Sequence, residues 1–151
     1  MPPKDAIALL KEDHKELKKL MSQLDDTTER AVKTRQQLLD KMKTELTIHE
    51  RIEEEVLYPA LREHEKAKDI VLEAYAEHHA VDMLVEELHS VPFEDENWAA
   101  KFTVIKENIE HHIEEEEGEL FKKARQIFDE QELRDLGDRM ALLKEQKKSA
   151  A

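Results

Sequence analysis

Two short segments carry most of the chemistry. "HERIE" (residues 49–53) and "HIEEE" (residues 112–116) each place a histidine four residues ahead of a glutamate. On a helix that spacing turns both side chains onto one face. An imidazole and a carboxylate so placed are metal donors. The chain has no cysteine, so thiolate is excluded as a ligand or a nucleophile. His14 and His78 stand alone in two other segments that are otherwise apolar at helical period.

The elements that must position these residues follow from the pattern. Periodic runs span about 3–24, 29–64, 69–90 and 96–128, and a shorter one containing Gly137 spans about 130–147. Asp5 is a candidate cap for the first, and "SVPFEDENW" is the clearest break. Charged residues at 40%, only two Gly and only four Pro suit helices rather than strands. The expected fold is all-α: an up-down-up-down four-helix bundle with a short C-terminal fifth helix. Residues 1–151 are read as one domain, with the bundle over about 4–128.

Stepping alternately three and four residues along each run gives its buried seam. The first seam reads Ile7, Leu10, His14, Leu17, Met21, Leu24, and the second Leu39, Met42, Leu46, His49, Glu53, Val56, Ala60. The third reads Val71, Ala74, His78, Val81, Val85, Leu88, and the fourth Trp98, Phe102, Ile105, Ile109, His112, Glu116. A lone seam histidine is ordinarily a hydrogen-bonded core residue. Four of them, joined by two seam glutamates with no seam lysine or arginine, need a compensating cation. Six donors exceed the four of a structural zinc site and fit two metals, with Glu53 and Glu116 as bridges. Imidazole and carboxylate suit iron, and zinc or manganese are bound by the same donors.

Other chemistries fail on their motifs. Only Glu86-x-x-His89 has the ferritin-like Glu-x-x-His form, and one copy is too few. "HERIE" begins like a zinc-protease motif but ends in Glu53 rather than a second histidine. There is no glycine-rich phosphate loop. A net charge of −13 argues against nucleic acid and anionic membranes as partners. Without a secretory apolar core or a membrane-length apolar run, a soluble cytoplasmic protein is expected, as a monomer or weak homodimer.

The ordered set "DHKEL" (His14), "HERIEEEVLYPAL" (His49, Glu53), "EHHAVDMLVEEL" (His78) and "HIEEEEGELF" (His112, Glu116) resembles the hemerythrin-like, or HHE cation-binding, proteins. The resemblance implies two iron ions in an oxo- or hydroxo-bridged non-haem di-iron site, with one position open to a small ligand such as O2, peroxide or nitric oxide. The seam selects His78 over His79 and His112/Glu116 over His111/Glu115, and the family's spacing to the following Gly118 agrees. His64 and His89 are expected to face solvent.

One departure matters. Oxygen-carrying hemerythrins have a further histidine four residues before the one matching His78; here that position is Ala74. Glu50, beside His49, is the candidate seventh ligand, since some hemerythrin-like relatives place a carboxylate there. Asp82, Tyr58 and Tyr75 are weaker candidates. Fewer imidazoles and more carboxylate favour turnover, sensing or iron handling over simple oxygen carriage. Pro59 is expected to bend its helix just beyond the site.

Overall fold

The structure, a computed structural model, describes residues 4–150, and every described element is helical. Helix α1 (Ala6–Asp25) begins at Asp5, whose side chain accepts a hydrogen bond from the Ala8 N–H. Helix α2 (Val32–Ile52) runs through a π-helical turn (Glu53–Leu57) into α3 (Tyr58–Arg62). A 3₁₀ turn (Glu65–Ala67) leads to α4 (Lys68–His89). Helix α5 (Trp98–Glu115) runs through a second π turn (Glu116–Leu120) into α6 (Phe121–Ile127). Helix α7 (Glu130–Ala150) closes the chain. The four long rods form the bundle, and α7 packs on α1 and α2.

The anticipated seams of α1, α4 and α5 are buried at every position, Glu116 included. The second seam departs at its end: Ala60 is half-buried, while Leu57, Tyr58 and Leu61 are buried. The π turn explains this. It adds one residue to the turn, so the Tyr58 N–H bonds back to the Glu53 carbonyl and the inward face moves on by about one position. The irregularity expected at Pro59 therefore lies one turn earlier. Proline is not its cause, because the second π turn makes the equivalent bond, Phe121 N–H to Glu116 carbonyl, without one.

Two apolar clusters result. One joins the N-terminal half of α1 to α3, α6 and α7 through residues such as Leu10, Tyr58, Phe121 and Met140. The other gathers Leu17, Met42, Val85, Trp98 and Phe102. At its far end Arg35 lies over the Trp98 ring at 4.5 Å and bonds Thr27 Oγ1 and the Phe93 carbonyl, tying together the two interhelical connections there. Between the clusters lies the histidine–glutamate layer.

Gly137, an unusual residue for a helix interior, is required there. A Cβ would stand 2.7 Å from the Asp5 carbonyl carbon and 2.8 Å from the Ala6 nitrogen, so α7 rests directly on the α1 backbone. Among the described residues, no helix is long and apolar enough to cross a membrane.

Candidate metal centre

Each long rod brings one histidine to the layer, and both π turns begin at an inward glutamate. His14, His49, Glu53, His78, His112, Glu116 and Glu50 are all buried. The first six converge. His14 Nε2 lies 3.0 Å from Glu116 Oε1, and His49 Nε2 lies 3.1 Å from Glu53 Oε1. His78 Nε2 lies 3.3 Å from Glu53 Oε1, and His112 Nε2 lies 3.3 Å from Glu116 Oε2. The donor atoms fall into two groups of metal-binding compactness. Glu53, His78, His112 and Glu116 form one; His14, His49 and Glu116 form the other, with Glu116 common to both.

The outward nitrogen of each ring is also held by a carboxylate. His14 Nδ1 is 2.6 Å from Glu117, His49 Nδ1 2.9 Å from Asp13, His78 Nδ1 2.7 Å from Glu54 and His112 Nδ1 2.8 Å from Glu77. An ionised carboxylate only accepts, so each Nδ1 carries the hydrogen and each neutral ring turns the Nε2 lone pair inward. Seam periodicity does not point to these supports. Their signal was adjacency: Asp13 and Glu77 each precede a seam histidine, and Glu54 and Glu117 each follow a seam glutamate. One position along a helix is a rotation of about 100°, enough to reach the neighbouring rod.

The interior is therefore made almost wholly of acceptors. His78 Nε2 and His112 Nε2 stand 3.2 Å apart, an arrangement of lone pairs that needs a proton or a cation. His49 Nε2 and both Glu53 oxygens lack hydrogen-bond geometry to any partner despite their proximity. Glu53 is 0% and Glu116 1% exposed, so water does not solvate them. These orphaned atoms and the hard oxygen–nitrogen donor set fit divalent or trivalent cations.

In the metal-free chain, protons take that place. Burial lowers the affinity of His78 for a proton, but the adjacent carboxylates of Glu53 and Glu54 outweigh it and raise the pKa to about 9. Burial is likewise outweighed at His112 by Glu116 and Glu77, to about 10. His49 is raised well above the usual imidazole range, the Glu53 charge and the Asp13 hydrogen bond overcoming its burial. Glu116 is held well below the usual carboxylate range, because Glu53, His112 and His14 offset its burial.

Glu50 lines a small cavity together with Leu17, Leu46, His49, His78, Val81, Ile109, His112 and Ile113. The cavity volume is about 10 Å³, space for roughly one water-sized molecule. Glu50 Oε1 has no partner, and burial, reinforced by Asp82, pushes the carboxyl up to about 9.

On the opposite side, the Tyr58 hydroxyl donates to Glu116 Oε2 at 2.8 Å and lies 3.3 Å from His78 Nε2. Tyr75 does not reach the centre; its hydroxyl faces the Glu54 carbonyl at 3.4 Å. His64, His79, His89 and His111 are exposed.

Residues 5–124 match the family model of the hemerythrin HHE cation binding domain, and the chain belongs to this family. The protein is thus a hemerythrin-like, metal-binding helical bundle. The fold is similar to the crystal structure of a hemerythrin HHE cation binding domain-containing protein from Mycobacterium kansasii, at 29% identity and a TM-score of 0.86. That similarity covers 97% of this chain and 89% of the other. No functionally curated protein matches at a significant level.

Proposed function

We propose that the chain is a non-haem di-iron protein that binds or reacts with O2, peroxide or nitric oxide. His14 and His49 would hold one ion and His78 and His112 the other, with Glu53 and Glu116 shared between them. The observation that carries this reading is the inward convergence of four Nε2 atoms and two carboxylates, with His49 Nε2 and both Glu53 oxygens unpartnered, beside a cavity of single-molecule size. A bound pair of iron ions would supply electrons and Lewis acidity to the small ligand.

The chain's own residues do the rest. Asp13, Glu54, Glu77 and Glu117 accept from Nδ1–H, hold the imidazoles in place before any ion arrives and leave Nε2 as the atom that gives up its proton to one. Leu17, Leu46, Val81 and Ile109 exclude bulk water and larger substrates from the cavity. Glu50 is the seventh ligand in this reading, since it lines the cavity with His49 and carries an oxygen without a partner; Ala74 offers no donor. Tyr58, through its hydrogen bond, orients Glu116.

Adding O2, peroxide or nitric oxide to the anaerobically reduced, iron-loaded protein should produce new ultraviolet–visible charge-transfer bands. Unchanged spectra with all three would refute the reading. The buried carboxylates favour one alternative, iron or oxygen sensing or iron handling without turnover, because loading and stability are then linked. A melting temperature insensitive to metal removal would eliminate that alternative.

A further inference from the structure

Helix α7 lies beyond the residues matched by the family model, yet it reaches the metal centre. Leu133, Leu136, Gly137 and Met140 form its buried stripe against α1. The next position on that stripe is Lys144, part-buried, whose ammonium pairs with Asp13 Oδ1. The other oxygen, Asp13 Oδ2, is the one 2.9 Å from His49 Nδ1. Asp13 is 5% exposed, so its orientation is set by these two partners rather than by water.

The line Lys144–Asp13–His49 thus runs from the last helix to a donor atom of the centre. Among the described residues, only this helix supplies such a line: Glu54 draws its cation, Arg51, from three residues away on its own rod, at 2.9 Å. Lys147, one turn beyond Lys144, pairs instead with Glu55, half-exposed and outside the site.

We propose that Lys144 is a positioning residue of the metal centre: by fixing and neutralising Asp13, it holds His49 in its ligating tautomer and makes α7 part of the site. The inference rests on the metal-binding reading above for its affinity consequence, but not for its geometric one. With the lysine present, Asp13 cannot swing away from Nδ1, and its charge is partly satisfied from outside. Without it, the carboxylate gains freedom and the ring loses its fixed support.

The test compares the full chain with Lys144→Met, which keeps an apolar stem of similar length, Lys144→Arg, which restores the cation, and Lys147→Met as control. Two quantities are read. One is the ¹⁵N–¹H signal of His49 Nδ1–H by NMR in metal-free protein. The other is zinc affinity, zinc alone serving as a diamagnetic probe in chelator competition. Lys144→Met should shift and broaden the His49 signal and weaken zinc binding by about tenfold. Lys144→Arg should restore both, and Lys147→Met should leave both unchanged.

Adding Lys144→Met to Asp13→Asn should produce no further change in either quantity, because the lysine acts only through the aspartate. An unaltered His49 signal in Lys144→Met, or an equal effect from Lys147→Met, would overturn the proposal. If the wild-type chain bound no zinc, the metal-binding reading would fall, and the His49 signal in the metal-free variants would still decide the role of Lys144.

Discussion

The α1–α2 half of the centre and the α4–α5 half correspond residue by residue. Asp13 and His14 answer to Glu77 and His78, and His49, Glu53 and Glu54 answer to His112, Glu116 and Glu117. The contacts correspond as well. His14 and His49 have ring centroids 4.9 Å apart, and His78 and His112 have theirs 4.8 Å apart, at nearly equal tilts. Each rod that ends in a π turn sends its second glutamate to the lone-histidine rod beside it. The halves differ at Glu50, matched by Ile113; at Tyr58, matched by Phe121, which stacks on His14; and in α7, which packs chiefly on the α1–α2 half. The shared positions build the cation cage. The unshared ones give its two ends different chemistry.

The largest expected effect comes from removing what both ions share. Glu116→Ala should abolish loading of both ions, because Glu116 belongs to both donor groups, whereas His49→Ala should cost about one ion per chain and His64→Ala none. Elemental analysis of protein purified from iron-supplied cells checks all three. Equal loss in Glu116→Ala and His49→Ala would remove the distinction between a shared and a single-ion ligand.

Next come the paired supports. Asp13→Asn and Glu77→Gln should each weaken metal binding by roughly 10–100-fold, and by similar factors if the halves are equivalent. Chelator competition measures this. A tenfold disparity would show that α7 has made the halves unequal.

A smaller effect is expected where the halves differ. Glu50→Ile copies Ile113 and removes a buried carboxyl with an unpartnered oxygen. The metal-free protein should gain about 1–3 kcal/mol of stability in denaturant melts, while the loaded protein should lose the spectral features due to a seventh ligand. A destabilised metal-free variant would mean that Glu50 is satisfied in a way its surroundings do not reveal.

The sign of the pH effect also follows. His78 and His112 hold protons more tightly folded than unfolded. Their contribution to metal-free stability is therefore full below the ordinary value of 6.5 and is lost as pH rises through about 9 and about 10. Thermal melts of metal-free protein between these limits should show falling stability, and metal loading at neutral pH should release protons. A flat metal-free profile would contradict the protons' role as stand-ins for the ions.

Much of this was legible in the sequence, for physical reasons. Seam periodicity finds residues that share a face, so His14, His49, Glu53, His78, His112 and Glu116 stood out as polar residues on apolar stripes. The choice of His78 and His112 over His79 and His111 followed from the same period, and the burial pattern agrees.

What period cannot show is a change of period. The π turns after Glu53 and Glu116 turn Tyr58 inward and leave Ala60 half-buried, contrary to the regular seam. Contacts between rods were equally hidden. Period alone does not single out Asp13, Glu54, Glu77 and Glu117, which gain their roles when neighbouring helices bring histidine rings to them. Lys144 lies 131 residues from its partner Asp13, a contact that only the docking of α7 creates. Gly137, a poor helix former by itself, is what lets that helix dock.

The central claim is that six side chains from two matched halves hold two cations. Anaerobic titration of metal-free protein with ferrous iron, monitored by bound metal and released protons, tests it most directly. The account predicts saturation at about two ions per chain with proton release at neutral pH. Saturation at one ion or none, or uptake without proton release, would contradict it.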